Sequence, residues 1–283
     1  LRRSPEVYLG FQQPPSIPTL KESTVIITGA ASGMGRLLAI RFIRAGARVY
    51  GLDVDQDRLL SVSSELGDRF TGIKCDLTNP EEIESSMASV LADAPAVDIL
   101  INNAGIASGK YFLELNPADV ERTFRVNVLA HFYTVRAVLP SMIESGSGQI
   151  VTFASAGGIV AAPRLTAYSS SKFAAVGFDE SLRMEMKKHN YPIDTTLIAP
   201  FFINTGMFEG VKTRFPFLLP ILKPEKVADR AFRAIQRKKR RLIMPWFVYT
   251  SFLLKILPVN LFDWIADFFG VSRTMDDFTG PER

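Results

Sequence analysis

Thr24-Val-Ile-Ile-Thr28 runs directly into Gly29-Ala-Ala-Ser-Gly33-Met-Gly35, and this junction decides the fold. The β-branched run reads as a strand and the segment beyond the glycines as a helix, so the glycines occupy a strand-to-helix turn. Glycine permits backbone conformations and close approach that a Cβ would block, and the helix that follows offers free N–H groups and a positive dipole end to a pyrophosphate. The spacing is Gly-x-x-x-Gly-x-Gly. Taken singly, such a turn is as often a tight loop as a nucleotide site; its place after a strand favours the site. Gly29, Ser32, Gly33, Met34 and Gly35 are therefore candidate cofactor contacts.

Working outward, a second strand over Ala47-Arg-Val-Tyr-Gly-Leu52 ends at Asp53, whose carboxylate can accept hydrogen bonds from an adenosine ribose and repel a 2′-phosphate. That favours NAD over NADP. Asp53 has a plainer reading as the cap of a helix over Asp55–Leu66, a task Asp55 would perform equally well. Further strands are expected at Ile73–Leu77, Ile99–Ile101, Gln149–Phe153 and Thr195–Ile198, separated by helical segments. Asn79-Pro80-Glu81-Glu82 and Asn116-Pro117-Ala118-Asp119 each set a cap residue before a first-turn proline and early acids, the signature of a helix start. This alternation predicts an α/β fold, a Rossmann-type doubly wound parallel sheet in one domain. Such sheets bind ligands beyond the carboxyl ends of their strands, and Gly29, Asp53, Asn102, Ser155 and Pro200 all follow strands.

Tyr168-Ser-Ser-Ser-Lys172 places a phenol and an ammonium four residues apart, on one face of a helix. A tyrosine with its ordinary pKa near 10 is a poor base at neutral pH unless a cation stabilises its phenolate. We expect Lys172 to lower that pKa, with Ser155 at the end of the preceding strand completing a proton-transfer site. Alone, most Tyr-x-x-x-Lys pairs are a half-buried aromatic beside a solvated lysine.

With the glycine turn, Asp53, Asn102-Asn-Ala-Gly105, Asn127, Ser155 and the Tyr168–Lys172 pair in this order, the chain resembles the short-chain dehydrogenase/reductase family from about Ser23 to Met244. The resemblance implies that Asp76 and Leu77 sit near the adenine, and that Asn102, Asn103, Ala104 and Gly105 wall the cofactor pocket. It further implies that Asn127 holds a relay water, that Ser155 polarises the substrate oxygen, and that Tyr168 is general base for oxidation or acid for reduction, with Lys172 also binding the nicotinamide ribose. Pro200 and Thr205 would contact the nicotinamide, although Phe201 stands where the family has glycine. Pro200-Phe-Phe-Ile-Asn-Thr-Gly-Met-Phe-Glu-Gly210, Leu219-Pro-Ile-Leu222 and Gly270-Val-Ser-Arg-Thr-Met-Asp-Asp-Phe278 are similar to the branch of epidermal retinol dehydrogenase 2, retinol dehydrogenase 10 and the lipid-droplet 17-beta-hydroxysteroid dehydrogenases. A lipophilic alcohol is implied as substrate. In the family the segment after the sixth strand closes over substrate, and here it carries Phe201, Phe202, Met207, Phe208, Phe215, Phe217, Leu218 and Leu219. These residues suit a greasy lid, or alternatively a completed core.

Composition bounds the reading. The chain has 283 residues, 47% of them hydrophobic, with a net charge of +4. That suffices for one buried domain and does not point to nucleic acid. Arg237-Lys-Lys-Arg-Arg241 reads most simply as a helix C-terminus, with an anionic membrane surface as the minority reading. Cys75 is the only cysteine, which excludes an intrachain disulfide and suits a reducing compartment. Two histidines, His131 and His189, are too few for a multi-histidine metal site, and both read as surface or partly buried imidazoles. No metal is expected.

We expect three parts. Residues 1–22, with four prolines, form an extended arm rather than a signal or spanning helix. The chain opens on Leu1 rather than methionine, as a processed or trimmed chain would. Residues 23–245 form the dehydrogenase domain with a substrate lid at 201–222, and 246–283 an apolar extension. Within it, Pro245 to Leu257 is too interrupted to span a bilayer. Leu261, Phe262, Trp264, Ile265, Phe268 and Phe269 share one helical arc opposite Asp263 and Asp267, an amphipathic helix that covers the core or a dimer partner, or else lies in a membrane interface. The leading reading is an NAD-dependent dehydrogenase of a retinol-, steroid- or long-chain-alcohol-like substrate, a homodimer or homotetramer on the cytoplasmic side, at an endoplasmic-reticulum or lipid-droplet surface. Its rivals are an NADPH-dependent retinal or ketone reductase, and a non-enzymatic nucleotide-binding scaffold on a lipid surface.

Overall fold

Thr24–Thr28 (β1) is buried along its whole length, as a strand flanked by helices on both faces must be. In the computed structural model, which describes residues 20–94 and 96–280, six further strands join it. They are Arg48–Asp53 (β2), Phe70–Lys74 (β3), Ile99–Asn102 (β4), Gly148–Phe153 (β5), Ile193–Pro200 (β6) and Arg241–Met244 (β7). All pairs are parallel, in the order β3-β2-β1-β4-β5-β6-β7. The expected arm lies outside the described residues up to position 19.

The helices are Gly33–Arg44 (α1), Gln56–Leu66 (α2), Pro80–Asp93 (α3), Pro117–Phe124 (α4), Ala130–Glu144 (α5), Thr166–Lys188 (α6), Pro224–Gln236 (α7), Thr250–Leu254 (α8) and Val259–Phe268 (α9). A π turn at Arg125–Leu129 joins α4 to α5. One sheet face packs on α1 and α7 through Leu38, Phe42, Val227 and Ile235; the other packs on α3 and α5 through Ile83, Met87, Val138 and Met142. Sheet and helices thus form a single domain, doubly wound as expected. The stretch Pro117–Glu144 is long and apolar enough to cross a membrane by length and composition, but half of it is buried inside the fold.

The helix starts form as the sequence implies. Asn79 accepts from the Glu81 and Glu82 amides, and Asn116 forms a reciprocal capping box with Asp119. Asp55 accepts from the Arg58 amide at 3.0 Å and caps α2, so that task does not fall to Asp53.

Two expectations need correction, and a third holds. The third strand runs Phe70–Lys74, not Ile73–Leu77, because its pairing with β2 ends opposite Asp53. The basic run does stand at a helix C-terminus: α7 stops at Gln236, Arg237 caps it, the Lys238 and Lys239 amides donate to the Ile235 and Ala234 carbonyls, and the rest turns into β7, with Lys238 paired to Asp194 at 2.9 Å and Arg241 to Glu180. His131 is neither on the surface nor half-buried. At 2% exposure it lies inside the fold beside Phe178, where burial, and then the charge of Lys172, hold its pKa down at about 3.

Candidate active site

A cleft of about 1410 Å³ opens at the carboxyl ends of the strands, larger than the roughly 300–1,000 Å³ typical of a single small-ligand pocket. Its floor is the turn between β1 and α1. Gly29 takes φ +67 there, and a Cβ on Gly35 would meet the Gly29 carbonyl oxygen at 2.0 Å, so the chain folds this tightly only with glycine. Asn103 staples the turn from the neighbouring strand, its Nδ2 donating to the carbonyls of Thr28 at 2.9 Å and Gly29 at 3.3 Å. The Thr28 hydroxyl accepts in return from the amides of Asn103 and Ala104. Unlike α2, α3 and α4, α1 has no side-chain cap at Ser32 and no acid in its first turn. Its free N–H groups and positive end therefore suit an anionic group in the cleft, which is how these residues fit a dinucleotide.

Asp53 stands at one end of this floor. Its Oδ2 accepts from the Ala31 amide at 3.0 Å and its Oδ1 from the Asp55 amide at 3.1 Å, so the carboxylate is fixed where it lines the cleft. Asp76, Leu77, Ala104, Gly105, Pro200 and Thr205 line the same space, as do Ser32, Gly33 and Met34. Asn102 does not; it is buried, and its Oδ1 accepts from the Thr134 hydroxyl.

Ser155, Tyr168 and Lys172 meet further along. Ser155 follows β5, accepts from the Gly157 amide at 3.0 Å, and lies against the Pro200 carbonyl at 3.4 Å. Tyr168 and Lys172 project from the first turns of α6, with the Lys172 ammonium 5.8 Å from the Tyr168 ring centre. Lys172 is 3% exposed and donates to the Phe153 carbonyl at 2.8 Å. Burial lowers its pKa to about 8. The expectation of a lowered phenol is reversed: burial pushes Tyr168 up to about 12, with only a Ser155 hydrogen bond opposing it. Desolvation disfavours phenolate and ammonium alike, and Lys172 turns its ammonium to a carbonyl rather than to the phenol.

Asn127 is fully buried in the π turn and does not line the cleft. Its Oδ1 accepts from the Ile106 amide at 2.8 Å, and its Nδ2 donates to the Ile106 carbonyl at 3.0 Å and the Ser171 hydroxyl at 2.9 Å. The side chain braces the loop after β4 against α6, one residue from Lys172.

The far end of the cleft is apolar. Phe201, Phe202, Met207, Phe208 and Leu219 line it, and Phe208 meets the Tyr168 ring edge-on at 5.4 Å. Phe215, Phe217 and Leu218 do not line it, and Phe217 is largely exposed. Phe201 replaces the family's glycine without strain: its φ is not positive, and its amide donates to the Met244 carbonyl at 2.7 Å. Residues beyond 245 belong to this wall as well: Phe247, Leu254, Phe262, Ile265 and Phe269 line it. Arg164 ties the segment down, donating to Gly109, Met275 and Asp276 carbonyls. Only the amphipathic arc of α9 hinted at it.

Comparison with known proteins agrees with this geometry. The family model for short chain dehydrogenases matches residues 23–214. Epidermal retinol dehydrogenase 2 of Mus musculus is 41% identical over 265 residues, covering 92% of this chain and 86% of that protein. Estradiol 17-beta-dehydrogenase 11 of Homo sapiens is 38% identical over 239 residues, 83% of this chain and 79% of its own. Among solved structures, a short chain dehydrogenase/reductase from Burkholderia phymatum in complex with NAD superposes with a TM-score of 0.76 at 24% identity, over 84% of this chain and 95% of that one.

Proposed function

The chain belongs to the short-chain dehydrogenase family, is accordingly an NAD(P)-dependent alcohol oxidoreductase, and on that premise we propose that it oxidises a lipophilic alcohol with NAD. The observation that carries this reading is the seating of Tyr168 between Lys172 on one side and the Phe202–Phe208 aromatic wall on the other.

NAD, when bound, supplies the hydride acceptor. The uncapped start of α1 with Gly29 and Gly33 would hold its pyrophosphate, Asp53 its adenosine ribose, and Asp76, Leu77, Asn103, Ala104 and Gly105 the wall beside it, while Gly35 does not line the cleft and lets the turn close against the Gly29 carbonyl. Pro200 and Thr205 flank the reacting end. Ser155 donates to the substrate oxygen and Tyr168 takes its hydroxyl proton, as general base. Lys172 supplies a cation beside the ring, against the burial that disfavours the phenolate. Asn127 acts as a positioning residue through the Ile106 loop and Ser171.

The apolar end selects the substrate class. A sugar gains little from Phe201, Phe202, Phe208 and Phe262, whereas each buried methylene of an alkyl or isoprenoid chain gains about 0.8 kcal/mol. A retinol- or steroid-like alcohol fits by the same argument, in keeping with the names of the relatives above. One observation favours NADP as the alternative: Arg58 lines the cleft beside Asp53, although Asp55 engages its guanidinium at 3.2 Å.

The deciding experiment is turnover of retinoids, steroids and primary alcohols of increasing chain length, with NAD and with NADP, followed by absorbance of the reduced cofactor. Efficiency should climb several-fold per methylene over the first additions and then level off. A flat series, or a small polar best substrate, refutes the proposal.

A further inference from the structure

Just ahead of α6, Arg164 has φ +64, a left-handed backbone that a side chain of this size adopts only at a cost. Its guanidinium offsets that cost with bonds to two distant segments. Nε donates to the Gly109 carbonyl at 2.9 Å, and Nη1 to the Met275 carbonyl at 2.7 Å and the Asp276 carbonyl at 3.2 Å. The same group lies over the rings of Tyr111 and Phe278, at 5.3 and 5.7 Å. One half-buried cation thus joins the loop after β4 to the C-terminal segment, and among the described residues no carboxylate pairs with it. A planar fork with donors on several edges can hold two segments at once, which an ammonium on a flexible stem does poorly.

The segment held in this way passes beside the phenol. Met275, 1% exposed, shares one apolar cluster with Leu165 and Tyr168. Phe278 lines the cleft and extends an aromatic row, meeting Phe208 at 6.4 Å as Phe208 meets Tyr168 at 5.4 Å. Its ring rests so closely on Gly109 that a Cβ there would stand 1.9 Å from it. The other fastenings are slighter. Thr279 donates its amide to the Glu209 carbonyl at 3.1 Å, Lys212 its amide to the Thr274 carbonyl at 3.3 Å, and the Lys212–Asp277 ion pair at 2.8 Å is exposed, where such pairs contribute little.

We propose that Arg164 is a positioning residue that fastens residues 274–280 across the cleft, so that Phe278 forms a fixed wall against which a bulky apolar alcohol is aligned on Tyr168. The alignment rests on the lipophilic-alcohol reading; the fastening does not. Because Arg164 directly precedes the helix that carries Tyr168 and Lys172, wall and phenol are registered through one side chain. A short alcohol touches too little of that wall to depend on it.

The test compares the full wild-type chain with Arg164→Gly and Arg164→Lys. Glycine accepts the left-handed backbone and removes only the side chain, so the start of α6 should survive. In hydrogen exchange read by mass spectrometry, peptides covering 274–280 should exchange at least about tenfold faster in Arg164→Gly, with peptides from β1 and β4 unchanged. With NAD saturating, the ratio of kcat/KM for decanol to that for propanol should fall at least about tenfold, as expected of a misplaced reacting group. Arg164→Lys should fall between glycine and wild type in both readouts. Phe278→Ala, with Arg164 intact, should lower the same ratio. Should Arg164→Gly fail to fold, Arg164→Lys and Phe278→Ala supply the two readouts. Unchanged exchange over 274–280 overturns the proposal. So does faster exchange with an unchanged decanol-to-propanol ratio, an Arg164→Lys variant equal to wild type in both, or a ratio unmoved by Phe278→Ala. A wild type that prefers propanol to decanol, with exchange responding as described, supports the fastening and refutes the lipophilic-alcohol reading instead.

Discussion

Replacing Lys172 with methionine should make the protein slower and more stable at once. With the ammonium 5.8 Å from the Tyr168 ring, an effective dielectric near 20 gives about 3 kcal/mol of attraction to a phenolate, roughly two pK units. Losing it should cut kcat/KM about a hundredfold at pH 7 with cofactor saturating. The stability term has the opposite sign. Burial lowers the Lys172 pKa from 10.5 to about 8, so the folded protein carries a cation it disfavours by about 3 kcal/mol, at 1.36 kcal/mol per unit. The lost hydrogen bond to Phe153 returns about 1 kcal/mol of that. Lys172→Met should therefore gain about 2 kcal/mol in urea unfolding. Because a depressed cation costs stability fully below its folded pKa and not at all above its unfolded one, the gain should be complete below pH 8 and vanish by about pH 10.5. A variant that keeps a third of wild-type kcat/KM, or that unfolds more easily than wild type at pH 7, refutes this account of Lys172.

Tyr168→Phe should lower kcat by about 10²–10⁴-fold and leave NAD affinity, measured by fluorescence titration, within about twofold, since the phenol lies away from the glycine turn. Asp53→Ala with Ser32→Arg should reverse the preference between NAD and NADP in kcat/KM; a wild type that already prefers NADP contradicts the role given to Asp53. Asp179, buried in α6 with Oδ1 unpartnered, has its pKa raised by burial from 3.8 to about 7. The unfolded chain gives up that proton first, so stability falls as pH rises from about 4 to 7. Asp179→Asn should then unfold later than wild type at pH 8 and no later at pH 3, as read by thermal melts.

What was legible in the sequence was local. Glycine at 29 and 35, Asn79, Asn116 and Asp55 act within a few residues of themselves, so their types announce the turns and caps they form. What was missed depends on distant partners. β3 is an edge strand with only Phe70 fully buried, and the apolar residues Cys75 and Leu77 continue beyond its pairing, drawing the expected strand downstream. β7 lies hidden between a basic run and Pro245, and only its parallel pairing with Leu197–Pro200 makes it a strand. The arc of α9 showed that one side is covered, but no spacing says that the cover is a substrate cleft. The expected pKa of Tyr168 failed for a related reason, because helical spacing fixes where Lys172 starts and not where its ammonium ends.

The two ends of the cleft come from opposite ends of the described chain. The floor is complete by Gly105, whereas the apolar wall draws on Phe201 to Phe278. The Ser155–Lys172 stretch, Pro200 and Thr205 serve both. Evolution can thus exchange one end without disturbing the other: a recombination or drift confined to the second half gives a new alcohol to an unchanged redox partner. A chimera joined after Lys188 at the end of α6, carrying a relative's downstream half, would inherit the donor's substrate range and keep the recipient's choice of nucleotide.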